Sequence, residues 1–104
     1  MWRSNRDEAL RLSRGDGLTS AVLHSARTAP ETDLTVTCVE VEPGARQVRH
    51  SHDPEQVYAV VAGEGGTFVG DDCRPVAAGD LVYVPPNTDH GIENTGDTVL
   101  EYVS

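Results

Sequence analysis

Turn-forming residues recur at short intervals along most of this chain, and this spacing limits the fold more than any other feature. After residue 17, short segments rich in Val and Thr, such as LTSAVLHS, DLTVTCVEV and QVYAVVAG, alternate with turns such as EPGA, AGEGG and PPNTD. Gly, Pro, Asn and Asp favour the backbone angles at which a chain reverses. No segment here keeps the 3.6-residue apolar period of a helix. We therefore predict an all-β fold of roughly eight short strands, arranged as an antiparallel sandwich, a jelly roll or a small barrel.

The first 17 residues differ from this pattern. The segment SNRDEALRLSRG begins with Ser4, has Asp7 three positions later and ends at Gly15, which is typical of a short helix or a turn. A chain of 104 residues can close one hydrophobic core but not two. We therefore predict a single domain, with an N-terminal helical or irregular arm over residues 1–17 and the β-rich part over residues 18–104.

The charge balance limits the partners of this domain. Asp and Glu number 17, Lys and Arg together number 8, and the net charge is -9 at pH 7. Such a surface repels phosphate backbones and anionic lipids, so we expect neither nucleic acid nor a membrane as partner. No apolar run is long enough to span a bilayer, and MWRSNRDEAL lacks the apolar segment of a secretory signal. We therefore expect a cytoplasmic protein, in which Cys38 and Cys73 stay free thiols.

Two histidines stand two positions apart in the segment GARQVRHSHDPEQVYAVVAG. Alternate side chains of an extended chain point to the same face, so His50 and His52 can aim at one point. Gln56 has the same parity, and His90 follows the strand-like segment GDLVYVPPNTD. Three imidazoles and one amide can surround a divalent cation, since imidazole binds Fe, Ni, Cu and Zn. The pair of histidines alone is weak evidence, because such pairs also occur often in exposed sheets.

The spacing of these residues resembles the two sequence motifs of the cupin superfamily. The first motif, G-x5-H-x-H-x3-E-x6-G, is matched by Gly44, His50, His52 and Gly63, with Gln56 where the family usually has Glu. The second motif, G-x5-P-x-G-x2-H-x3-N, is matched by Gly79, Pro85, His90 and Asn94, with Asn87 in the glycine position. Asn is the residue best able to adopt the left-handed conformation that glycine would take there.

The resemblance implies a double-stranded β-helix, also called a jelly-roll or cupin barrel, over residues 18–104. It also implies one divalent transition metal, which can be Fe, Mn, Ni, Zn or Cu. The ligands implied by the motifs are His50, His52, Gln56 and His90. A homodimer is the oligomeric state that the resemblance leads us to expect.

Gln56 bears on function because an amide is neutral and is a weaker ligand than a carboxylate. The net charge of a divalent ion and its ligands keeps both positive units with Gln56 and would lose one unit with Glu. The site should therefore bind an anionic substrate more readily. For iron, the amide also disfavours the oxidised states that oxygen activation requires. We therefore predict a metal-dependent isomerase or lyase that acts on a small oxygenated sugar acid or keto acid. An iron-dependent dioxygenase and a non-catalytic small-molecule binding or sensing protein are the alternatives.

Two further residues are candidates for catalysis. The segment HSHDPEQVYAVVAGEG is similar to that of the small cupins that linearise unsaturated uronates, which use three His and one Gln. Those enzymes also use an acidic residue on the last strand, where Glu101 stands, and an arginine after it that has no counterpart here. Tyr58 shares the inward parity of Gln56, and it can donate a proton or simply pack as a core aromatic. Tyr58 and Glu101 are the candidate catalytic residues.

The other polar residues near the motifs are expected to have structural roles. Strand parity and sequence distance place Glu55 as a solvated turn carboxylate, His24 as a surface or packed residue, and Asn94 in hydrogen bonds to the turn after His90. Arg46 and Arg49 are expected to form salt bridges on the surface, and attraction of an anionic substrate is the alternative. Cys38 is expected to pack as a core thiol, and a position facing the cavity is the alternative.

Overall fold

A computed structural model describes residues 2–29 and 31–104 as a set of short antiparallel strands. These residues contain no helix, and hence none long and apolar enough to cross a membrane. The strands of the described residues are β1 (Arg11–Ser13), β2 (Leu18–His24), β3 (Val36–Val41), β4 (Gln56–Ala62), β5 (Glu64–Val69), β6 (Asp72–Ala77), β7 (Leu81–Val84), β8 (His90–Glu93) and β9 (Leu100–Val103). The all-β prediction is confirmed.

The strands form two antiparallel sheets. The larger sheet has the order β1-β2-β3-β9-β4-β7, and the smaller one has the order β6-β5-β8. Strands distant in sequence are therefore neighbours: β9 lies between β3 and β4, and β8 lies beside β5. A chain that crosses repeatedly between two sheets in this way is typical of a jelly roll, and a simple up-and-down meander would pair consecutive strands only.

The hydrophobic core is supplied by alternate positions of strands from both sheets. Its buried residues are Leu18, Val39, Val41, Tyr58, Val60, Val76, Val84, Ile92, Leu100 and Tyr102. The alternation is clearest in β4, where Tyr58 and Val60 are buried while Val57 and Val61 are exposed. This is the parity expected from the sequence, since successive side chains of a strand point to opposite faces.

The segment before β4 extends the smaller sheet alongside β8. Arg46 lies opposite Glu93 and His50 lies opposite His90 in isolated antiparallel bridges. The backbone N–H of His90 donates to the carbonyl of His50 at 2.9 Å, and the reverse bond is 3.2 Å. The chain thus brings the two motifs side by side.

A turn of the second motif is also tied to the first. Asn87 has a φ of 54°, which confirms the left-handed conformation expected at this position. Its backbone N–H donates to the carbonyl of His52 at 2.7 Å, and its side-chain amide donates to Asp53 at 3.1 Å. These bonds hold the loop that carries His52 against the turn that precedes β8.

The described part of the N-terminal arm contains a turn and a strand. The backbone N–H groups of Glu8 and Ala9 both donate to the carbonyl of Asn5 at 3.0 Å, which closes a turn instead of starting a helix. Ser4, expected near a helix start, donates to the carbonyl of Leu23 at 2.7 Å. Strand β1 then pairs with β2 and adds an edge to the larger sheet. The sequence did not indicate this strand, because a three-residue edge strand has too few positions to show a period.

Candidate metal centre

Three imidazoles meet between β8 and the start of β4. The side chains of His50, His52 and His90 each offer one nitrogen atom, and these atoms lie within 4.8 Å of one another. The backbone bridge sets His50 across from His90, with ring centroids 4.2 Å apart. The ring of His52 is 4.7 Å from that of His90. The structure therefore brings together the three histidines of the two motifs.

Each imidazole is anchored to the backbone through its Nδ1 atom. The Nδ1 atoms make hydrogen bonds with carbonyl oxygens: His50 with Val48 at 2.8 Å, His52 with Pro54 at 2.8 Å and His90 with Thr88 at 2.7 Å. A carbonyl oxygen only accepts, so the proton of each neutral ring is on Nδ1 and the lone pair is on Nε2. Metal-binding histidines are held by this kind of bond, which fixes both the tautomer and the ring orientation.

His90 gives the strongest sign that a cation belongs here. Its side chain is fully buried, and its Nε2 has no hydrogen-bond partner among the described residues. Burial lowers the pKa of His90 below its ordinary value, so the ring is neutral near pH 7. A buried acceptor without a partner destabilises the fold. A metal ion bound to Nε2 would remove that penalty, and the residues present therefore fit the metal that the motifs imply.

Gln56 lies beside this group at the start of β4. Its Oε1 atom is 2.7 Å from Nε2 of His52. With the His52 proton on Nδ1, both atoms are acceptors, and a cation bound to both would stabilise their close approach. In the metal-free protein a half-turn of the amide would let its NH2 group donate to Nε2 instead. Three imidazole nitrogens and one amide oxygen suit a divalent transition metal.

A cleft with a volume of ≈ 810 Å³ opens next to His50, His52 and Gln56. This volume lies within the range of small-molecule sites, about 300–1,000 Å³. Three arginines line the cleft, whereas Asp16 is the one acidic side chain among the described lining residues. The cleft is therefore locally basic, although the chain as a whole carries a net charge of -9. Local positive charge of this kind attracts small anions.

The arginines of the cleft have different partners. Arg49 forms an ion pair with Asp89 at 3.0 Å and stacks over the ring of Phe68 at 4.4 Å, so its expected outward salt bridge is confirmed. Arg14 comes from the N-terminal arm, and its Nε donates to the hydroxyl of Ser20 at 2.9 Å. The sequence did not point to Arg14, because only the pairing of β1 with β2 brings the arm to the cleft.

A family model described as "Cupin domain" matches residues 37–104, which include every strand from β4 to β9. This chain belongs to the cupin family. The cupin fold expected from the motifs is thereby confirmed, and the three histidines that can bind a metal occupy the positions of the family motifs.

Relatives of this cupin have different names. The oxalate-binding protein of Thermotoga maritima is 33% identical over 67 residues, which cover 64% of this chain and 55% of that protein. H2HPP isomerase of Bacillus subtilis is 36% identical over 66 residues, which cover 62% of this chain and 28% of the isomerase. The crystal structure of a predicted oxalate decarboxylase from T. maritima has a TM-score of 0.83 at 27% identity, covering 97% of this chain and 94% of that one. The match thus spans about half of the oxalate-binding protein.

Tyr58 lies next to the candidate metal centre of the cupin but is fully buried. Its ring centroid is 6.0 Å from that of His90, and it packs edge-on against Tyr102 at 4.9 Å. Its hydroxyl donates to Oε1 of Gln47 at 2.9 Å. Burial raises the pKa of Tyr58 well above its ordinary value, so the hydroxyl keeps its proton. These contacts are those of a core aromatic whose hydroxyl is satisfied, which was the alternative to a catalytic role.

The structure does not bring Glu101 to the metal centre. In β9, Leu100 and Tyr102 are buried in the core, so Glu101 between them points to the opposite face. There its carboxylate forms an ion pair with Arg6 of the N-terminal arm. The apolar neighbours of Glu101 fill the core and fix its side chain outward, so Glu101 does not join the three histidines beside which it was expected.

Three of the residues expected to lie outside the site, Glu55, His24 and Asn94, do so, whereas Arg46 and Arg49 line the cleft. Glu55 is exposed and accepts a hydrogen bond from the hydroxyl of Tyr83 at 3.3 Å. His24 is hydrogen-bonded to Thr32 at 3.1 Å. Asn94 is buried and bonds the turn that follows β8, including the carbonyl of Thr98 and the N–H of Gly96. None of these contacts involves the metal centre.

Both cysteines are free. Cys38 is buried, and it lies with Arg6 and Glu101 on the face of the larger sheet that is turned away from the metal centre. Burial, followed by the nearby charge of Glu101, raises the pKa of the Cys38 thiol. Cys73 is exposed. The alternative in which Cys38 faces the metal cavity is therefore excluded.

Tyr102 is a cleft residue that the sequence analysis missed. It lines the cleft together with His50, His52 and Gln56. A signal for it was present in the segment VLEYVS, where Leu100 and Tyr102 are alternate apolar positions on the last strand. The acidic residue between them, Glu101, lies on the opposite face of the strand.

Proposed function

We propose that this cupin binds one divalent transition metal through His50, His52, Gln56 and His90 and uses the centre to hold a small carboxylic acid. The observation that carries the proposal is the buried Nε2 of His90, which has no partner in the described part of the chain and lies near the nitrogen atoms of two further imidazoles. The name of the oxalate-binding relative supports a dicarboxylate as ligand. A bound metal would supply positive charge that polarises and orients a carboxylate oxygen.

The neutral ligand set strengthens the attraction for an anion. Gln56 leaves the charge of the metal uncompensated, whereas a glutamate would neutralise part of it. Arg14 and Arg46 add positive charge along the cleft, whereas the charge of Arg49 is paired with Asp89. Ligand charge and cleft charge therefore favour the same class of molecule, a small acid with at least one ionised carboxylate.

Binding without turnover is the form of this function that the geometry favours. The hydroxyl of Tyr58 already donates to Gln47, and Glu101 lies on the face of β9 that is turned away from the three histidines. A metal-dependent isomerase or lyase acting on a sugar acid or keto acid is the second candidate, supported by the name of the isomerase relative. Asp16, at the cleft, is the acidic side chain available to such an enzyme as a proton acceptor.

The first experiment measures metal and ligand together. Protein purified without added metal is analysed for its metal content, and oxalate binding is then measured by calorimetry with and without the metal found. We expect oxalate to bind only to the metal-loaded protein, and we expect His90→Ala to lose both metal and oxalate. Oxalate binding of equal strength in metal-free protein would contradict the proposal.

A second experiment separates binding from chemistry. The metal-loaded protein is incubated with oxalate, with small keto acids and with an unsaturated uronate, and products are followed by NMR spectroscopy. Stoichiometric binding without product supports the binding protein, and isomerised or cleaved product supports the enzyme. Oxygen uptake by the iron-loaded protein would favour the dioxygenase, which Gln56 disfavours.

We also propose that this cupin forms a homodimer. Large apolar side chains are exposed at both edges of the larger sheet, including Leu10 beside β1 and Leu81 and Tyr83 in β7. Exposed apolar residues grouped at an edge are typical of a surface that another protein covers. Light scattering after gel filtration tests this proposal, and a monomer at micromolar concentration would contradict it.

A further inference from the structure

Two tyrosines lie side by side in the core beneath the metal centre, and their hydroxyl groups are in different situations. Tyr58 and Tyr102 are both fully buried, with ring centroids 4.9 Å apart in an edge-on arrangement. The hydroxyl of Tyr58 donates to Gln47. The hydroxyl of Tyr102 has no hydrogen-bond partner among the described residues.

The position of Tyr102 indicates where a partner for its hydroxyl group can lie. Tyr102 lines the cleft that also contains His50, His52 and Gln56, so its buried side chain borders the space in which a ligand of the metal would lie. A buried hydroxyl without a partner destabilises a folded protein, and such groups are uncommon unless they serve a site. Tyrosine also has the right chemistry, because its apolar ring packs in the core while its hydroxyl can donate to an oxygen atom.

We propose that the hydroxyl of Tyr102 donates a hydrogen bond to a carboxylate oxygen of the small acid held in the cleft. This inference rests on the proposed function and adds a ligand-binding residue that lies outside both cupin motifs. Burial raises the pKa of Tyr102 well above its ordinary value, so the hydroxyl is protonated and available as a donor at neutral pH. Glu101, which precedes it in the chain, faces away and does not compete for this bond.

The test compares three conservative substitutions, each of which removes one hydroxyl group. Tyr102→Phe removes the proposed donor, and Tyr58→Phe removes the hydroxyl that is bonded to Gln47. Tyr83→Phe is the matched control, because Tyr83 is half exposed on β7 and bonds Glu55 outside the cleft. For each variant, the Kd of the metal, the Kd of oxalate for the metal-loaded protein and the Tm of the metal-free protein are measured.

We expect Tyr102→Phe to weaken oxalate binding about tenfold to a hundredfold, as for the loss of a hydrogen bond to a charged group. The same variant should leave the Kd of the metal unchanged. Its metal-free Tm should equal or exceed that of the wild type, because the substitution removes a hydroxyl that lacks a partner. Tyr58→Phe should lower the Tm, and Tyr83→Phe should leave the oxalate Kd unchanged.

Two kinds of result would overturn the inference. If wild type binds oxalate and Tyr102→Phe binds it equally well, the hydroxyl does not contact the ligand, and the proposed function stands without this residue. If Tyr102→Phe melts lower than wild type or fails to fold, the hydroxyl has an internal partner and is structural. Absence of oxalate binding by metal-loaded wild type would instead overturn the proposed function together with the inference.

Discussion

The substitution Gln56→Glu tests the role of charge at the metal centre most directly. It replaces a neutral oxygen ligand by an ionised one of nearly the same size, next to His52 at 2.7 Å. The carboxylate should bind the metal more tightly, because it adds a full negative charge to the ligand set. For the same reason, it should repel an anion held at the same centre.

The size of the repulsion follows from the geometry. The ligand nitrogens lie within 4.8 Å of one another and Gln56 is 2.7 Å from His52, so we take about 5 Å as the separation between an anion at the centre and a carboxylate at position 56. Two unit charges about 5 Å apart interact with about 3 kcal/mol at an effective dielectric constant near 20, and with about 1 kcal/mol in water. We therefore expect oxalate to bind about 5-fold to about 150-fold more weakly to the variant.

The assay pairs two titrations. Metal affinity is measured by competition with a chromophoric chelator, and oxalate affinity is measured by calorimetry on the metal-saturated protein. Glu55→Gln is the matched control, since it changes one charge at the adjacent, exposed position and should alter neither constant. Unchanged metal and oxalate affinities in Gln56→Glu would refute the charge argument, and so would tighter binding of oxalate.

Three further predictions concern stability. Gly63 has a φ of +81°, and an added Cβ would lie 2.5 Å from the carbonyl oxygen of Val99. Gly63→Ala should therefore lower the free energy of unfolding, measured in urea, by about 2–4 kcal/mol. Gly79 has a φ of +98° and no neighbour within 4 Å of an added Cβ, so Gly79→Ala should lower it only by the backbone strain of about 1–2 kcal/mol. Burial lowers the pKa of His90 below its ordinary value, so the unfolded chain binds this proton at a higher pH than the folded chain does. The metal-free protein should therefore lose up to about 1.4 kcal/mol per pH unit once the pH falls below the pKa of the unfolded histidine. Urea unfolding between pH 7.5 and 5.5 should show a weaker pH dependence in His90→Asn, and an identical pH dependence would contradict this account. Metal at a free concentration of about 100 Kd should raise the free energy of unfolding by about 2.7 kcal/mol, which thermal melts would show as a higher Tm in wild type and a much smaller shift in His90→Ala.

The strand pattern and the three histidines that can bind a metal were accessible from the sequence because both depend on local spacing. Alternation in β4 assigned Tyr58 and Val60 to the core correctly, since the period of a strand is independent of what the strand packs against. The left-handed turn at Asn87 followed from its place in the second motif. The motif spacing also selected His50, His52 and His90, which the fold then brought together.

In the last strand, β9, local spacing is not sufficient to predict which side chains face the metal centre. Alternation states that Glu101 and Tyr102 face opposite ways, but it does not state which of them faces the metal centre. That choice depends on the pairing of β9 between β3 and β4, which turns Leu100 and Tyr102 into the core. The N-terminal arm is a second example, because Arg14 reaches the cleft only through the pairing of β1 with β2.

By itself, the sequence determined the all-β class, the cupin motifs and the residues able to hold a metal, because these features depend only on residue type and short-range spacing. Only the tertiary structure decided that His90 is buried with an Nε2 that has no partner among the described residues, that Glu101 is turned outward and that Tyr102 lines the cleft. The physical reason is that the burial of a side chain and the direction in which it points depend on which strands pair and which sheet faces pack together. Those contacts join residues that are far apart in the chain.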